Sequence, residues 1–72
     1  MQPDLESALR TILADKKSYN TSLNYAVDYT RTAFALTGKA LKIQLLYILN
    51  NISHWRHPEA KAVRETLRRY SK

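Results

Sequence analysis

Apolar residues return every three or four positions along this chain, in stretches separated by polar runs rich in Ser, Asn and Thr. The first stretch sets Leu5, Ala8, Leu9, Ile12 and Leu13 on one side of a helix over about residues 4-17, with Asp4 as its N-cap and Lys16 and Lys17 at the negative end of its dipole. A polar connector from Ser18 to Ser22 follows, whose side chains can satisfy the free amides of the next helix. That helix spans about residues 23-37, with Leu23, Ala26, Val27, Thr30, Ala33 and Phe34 on one side and Gly38 where a left-handed C-cap is wanted. A third helix, over about residues 40-52, is apolar around most of its circumference through Leu41, Ile43, Leu45, Leu46, Tyr47, Ile48, Leu49 and Ile52. Such a helix belongs in the middle of a bundle. Pro58, pre-set for a first helical turn, opens a fourth helix over about residues 58-70. With one Gly and two Pro there are few places to turn a strand, so the pattern predicts an all-α bundle of four helices, the third central, in a single domain over 1-72.

The length fits one small core, since a chain of 72 residues buries only roughly 60% of the surface its unfolded form exposes. At 44% hydrophobic and 25% charged the composition is that of a folded protein rather than a disordered one. The absence of cysteine excludes a disulfide framework and a thiolate metal site. The N-terminal segment has acidic residues where a secretory signal needs a basic one, and no apolar run is long enough to cross a bilayer, so the expected address is the cytoplasm, with no membrane partner. Asn20-Thr21-Ser22 and Asn51-Ile52-Ser53 match the glycosylation pattern but read as turn chemistry in that setting.

Charge changes the picture, because it is segregated. Residues up to Gly38 carry four basic and four acidic side chains, whereas residues from Lys39 onward carry eight basic against two acidic, which supplies the whole net charge of +6. In the fourth helix Lys61, Arg64, Arg68, Arg69 and Lys72 share one flank, and Ala60, Val63, Leu67 and Tyr70 share the other. One flank should dock on the third helix while the other faces solvent, with Arg56, Lys39 and Lys42 extending the patch if the fold brings them alongside. A cationic flank of this kind suits phosphate contact, with guanidinium groups gripping oxygens and counterions released on binding. The ordinary alternative is a solvated face in which Glu65 pairs with Lys61, Arg68 and Arg69. An acidic protein surface would satisfy the same charges.

The run Ser53-His54-Trp55-Arg56-His57-Pro58 is the most distinctive. Trp55 can stack a base or close one end of the core with its indole N–H on a carbonyl, and the second use fits a core with so few large residues. Two imidazoles without further ligands fall short of a zinc site, so no metal or cofactor is expected. Neutral His57 can instead act as a modest helix cap. The chain has no nucleophile elbow, phosphate loop or close pair of carboxylates, so no catalytic residues are expected. A helix-turn-helix around Gly38 would place the most hydrophobic segment in a groove of DNA and empty the core, which argues against it. Tyr25, Tyr29, Leu36, Ile43 and Tyr47 lie outside the tightest stripes and leave apolar surface that a second copy or another protein could cover.

The segment Leu45-Leu46-Tyr47-Ile48-Leu49-Asn50-Asn51-Ile52-Ser53-His54-Trp55-Arg56, with Glu59-Ala60-Lys61-Ala62-Val63-Arg64 after it, resembles small uncharacterised proteins of prophage or mobile-element type. The resemblance covers less than half the chain and carries no activity with it; it implies a small accessory or regulatory binder. The expectation is therefore a non-enzymatic binding module. Its cationic residues are Arg56, Lys61, Arg64, Arg68, Arg69 and Lys72, its stacking or interface residues are Tyr25, Tyr29, Tyr47 and Trp55, and its partner is nucleic acid. The alternative is a protein-interaction or homodimerisation module.

Overall fold

Pro3 sits in the first turn of α1 (Pro3–Ala14), where its missing N–H costs nothing, and the backbone of Gln2 rather than a side chain starts the helix. The computed structural model describes all 72 residues. Three further α-helices follow: α2 (Ala26–Ala33), α3 (Gly38–Asn51) and α4 (Ala60–Tyr70). The chain is all-helical, but four is not the full count of its helical elements. The segment expected as a polar connector is itself helical, a 3-10 turn over Lys16–Ser18 running into a π-helical turn over Tyr19–Leu23. Asp15 ends α1 at this point, and its carboxylate accepts a hydrogen bond from the Ser18 hydroxyl at 2.8 Å, which tightens the turn. Leu23 is therefore buried from the π turn and not from α2, which starts only after Asn24 adopts a positive φ of 42°.

Gly38 does take the left-handed conformation, with φ 57°, but it opens α3 and does not close α2. The second helix ends early, at Ala33. Asp4 likewise lies inside the first turn of α1 and not at its N-cap.

α1 packs against α2 and α4, and α3 packs against the same two, so the four helices close a ring around one core. The core is contributed by Leu5, Leu9 and Ile12 of α1, Ala26, Val27 and Ala33 of α2, and Val63 and Leu67 of α4. The connectors add Leu23, Ile52 and Trp55. α3 is not central. Only Leu45 and Ile48 of its residues are buried, while Ile43, Leu46 and Tyr47 face out, so the most hydrophobic helix has the most exposed apolar surface. A ring of four short helices has no inside position for a whole helix, and α3 can bury only the side turned to its two neighbours.

Candidate anion-binding groove

The connector from Ile52 to Glu59 turns the chain back, so that α4 runs beside α3 and places its cationic flank against the end of its neighbour. Arg64, one turn into α4, meets the C-terminus of α3, whose last carbonyls lack intrahelical partners. Its Nη1 donates to the carbonyls of Ile52 at 3.2 Å and Trp55 at 3.3 Å. The residue expected to grip phosphate thus also pins the connector, and its guanidinium is held in one orientation.

Arg64, Arg68 and Lys72 recur at four-residue spacing and line one wall of a groove of about 480 Å³ between α3 and α4. Leu46 and Leu49 of α3 form its apolar floor, and Asn50, Ser53 and Ser71 add neutral polar groups. No acidic side chain lines it. Arg68 and Lys72 are exposed and make no salt bridge. Lys42 is exposed and shares the helical face of Leu46 and Leu49 by its spacing, but it does not line the groove.

The other expected cations are placed elsewhere. Arg69 turns to α1, where its Nη2 donates to Asp4 Oδ2 at 2.7 Å, beside the Tyr70 hydroxyl that donates to Asp4 Oδ1 at 2.6 Å. It is tied to a local acid and leaves the phosphate-contact set. The Tyr70 hydrogen bond, with help from the Leu5 amide and Arg69, holds the Asp4 carboxyl below the usual aspartate range, and the same bond raises the Tyr70 phenol. Lys61 and Arg56 are exposed but outside the groove.

Trp55 is 1% exposed and cannot stack a ligand. It fills the core, as a chain with few large side chains demands, and its indole N–H donates to the carboxylate of Asp15 at 2.7 Å, not to a carbonyl. That bond, ahead of the Ser18 hydroxyl, lowers the Asp15 carboxyl. His57 stacks on Trp55 with ring centroids 5.1 Å apart and accepts the Glu59 amide on Nδ1 at 3.0 Å, a bond within the connector and not the expected cap, since α4 begins after Glu59 with no side-chain cap.

Tyr25, Tyr29 and Tyr47 are exposed, at 65%, 36% and 49%. Tyr29 and Tyr47 pair at 5.8 Å across α2 and α3, and Gln44 secures the junction by donating to the Tyr29 carbonyl at 3.0 Å. The sequence pattern reads Leu46 and Leu49 as core; Leu49 does pack against it while also lining the groove, but Leu46 is exposed, and the polar groups Asn50, Ser53 and Ser71 carry no signal in the pattern. It also missed Arg64's structural bonds, although an arginine one turn after a short reversal is where a preceding helix's carbonyls are met. No helix is long and apolar enough to cross a membrane. Comparison of the chain with protein-family models, with curated proteins and with solved structures gives no match. The chemistry of these side chains carries the functional reading.

Proposed function

We propose that this chain is a small non-enzymatic binding module that contacts polyanions, nucleic-acid phosphates foremost, through the groove between α3 and α4. The observation that carries this reading is the alignment of Arg64, Arg68 and Lys72 along a groove that no acidic side chain lines, with no salt bridge to any of them, Glu65 included. Acids one turn away neutralise the cations of ordinary solvated helices, as for Arg10 and Arg31 here, and Arg69 is taken by Asp4 of α1. Arg68 and Lys72 have no such partner. The charged groups of the groove are all cations, suited to hold an anion rather than to move a proton.

Fluorescence anisotropy with a labelled DNA duplex tests the reading. The expected result is micromolar binding at about 50 mM salt that weakens steeply by about 200 mM, and its loss in the double variant Arg68→Glu, Lys72→Glu. Absence of binding at low salt to duplex and single strand alike, or binding indifferent to the double variant, contradicts it.

The exposed apolar face of α2 and α3, with Tyr25, Tyr29, Ile43 and Tyr47, favours a second reading as a protein-interaction or self-association module. Light scattering separates the two: a mass that doubles with concentration and a Tyr47→Glu variant that stays monomeric support self-association.

A further inference from the structure

The groove does not end at its cations. On α3, Ile43, Leu46, Tyr47 and Asn50 are spaced three and four residues from one another and form a single exposed face, of which Leu46 and Asn50 also line the groove. The cationic wall of α4 and the apolar face of α3 are thus one continuous surface, edged on its far side by Tyr29 against Tyr47. A ligand that fits the whole of it must present anionic groups in a row and flat apolar surfaces beside them.

We propose that this ligand is a single-stranded nucleic acid, its phosphates along Arg68 and Lys72 and its bases against Leu46 and Tyr47. The inference rests on the polyanion reading above and narrows it. Four residues of helix rise by roughly 6 Å, which sets the two cations near the separation of successive phosphates on one strand. A duplex keeps its base faces stacked inside, so the apolar half of the surface would meet only sugar and water. A single strand offers unpaired bases, and stacking one on an aromatic side chain adds about 1–3 kcal/mol to the phosphate contacts. An acidic amphipathic helix would also bring charge and apolar surface, but it needs a continuous apolar trough. Here two of eight lining residues are hydrophobic, and Asn50 and Ser53 suit sugar and phosphate oxygens better.

The experiment is an anisotropy titration, at about 50 mM salt, of three probes: labelled oligothymidylate of about 12 nucleotides, a duplex of equal length, and polyglutamate of matched charge. The inference expects the single strand to bind about 10-fold more tightly than the duplex, and Tyr47→Ala to remove that advantage while leaving duplex binding unchanged. Tyr47 is half exposed, so its truncation leaves the core intact, which circular dichroism verifies. Equal affinity for strand and duplex, or a Tyr47→Ala protein that keeps the preference, overturns the inference but not the polyanion reading. Polyglutamate bound as tightly as the oligonucleotide overturns it in favour of an acidic polypeptide. No binding of any probe overturns both.

Discussion

Thr30 is fully buried in α2, and its hydroxyl finds no hydrogen-bond partner. A buried hydroxyl without a partner costs free energy that a methyl group of the same shape does not. Thr30→Val should therefore stabilise the fold by about 1 kcal/mol, seen as a thermal midpoint higher by several degrees. A lower midpoint would mean that the hydroxyl is satisfied after all. Asp4 offers a second measurement, because one carboxylate accepts from both Tyr70 and Arg69 and joins the start of the chain to its end. Asp4 is held below its ordinary value of 3.8, so the folded chain binds fewer protons than the unfolded one there. Its stabilisation is complete above that value and is lost as pH falls through the lowered native one. Tyr70 is raised above 10.0, so its contribution is complete below that value and is lost as pH rises through the native one. Asp4→Asn should flatten both the acid and the alkaline limbs of the stability profile. An alkaline limb unchanged from the wild type would show that the phenol is not bonded to Asp4.

Arg64 ties two helices together. Its bonds to the carbonyls of Ile52 and Trp55 anchor the end of α3 to α4, and both acceptors lie in a part-buried setting. Arg64→Ala should cost roughly 1–2 kcal/mol in urea denaturation, more than an exposed arginine would, whereas Lys61→Ala should be close to neutral. Equal effects at the two positions would deny Arg64 its anchoring role. α4 was the most legible element of the chain, although it starts at Ala60 and Pro58 lies in the turn before it. Ala60, Val63 and Leu67 are buried as their spacing required, because an amphipathic helix has one way to face a core. α3 was the least legible. A pattern apolar all round says how much could be buried but not which side, and the neighbours of α3 cover only the side with Leu45 and Ile48. The 3-10 and π turns from Lys16 to Leu23 escaped notice because their polar residues suit turns and caps equally well.

The whole molecule measures 30 × 20 × 18 Å, and its groove brings cations of α4 and apolar residues of α3 together. The first half of the chain supplies the acid, Asp4, that takes Arg69 out of play, over a separation of 65 residues that local pattern could not reveal. The cations of the groove were legible as a helical stripe; the groove itself was not, since its floor depends on how α3 turns against α4. What results is one surface on which Arg64, Arg68 and Lys72, none of them in a salt bridge, lie beside the exposed side of α3. The measurement that bears most directly on this account is the salt dependence of oligonucleotide affinity for the wild type and for Arg68→Glu, Lys72→Glu. Engagement of the three groove cations predicts a log–log slope of about −2 to −3 in the wild type, with binding abolished in the variant. A flat wild-type slope, or a variant that binds as well as its parent, would contradict it.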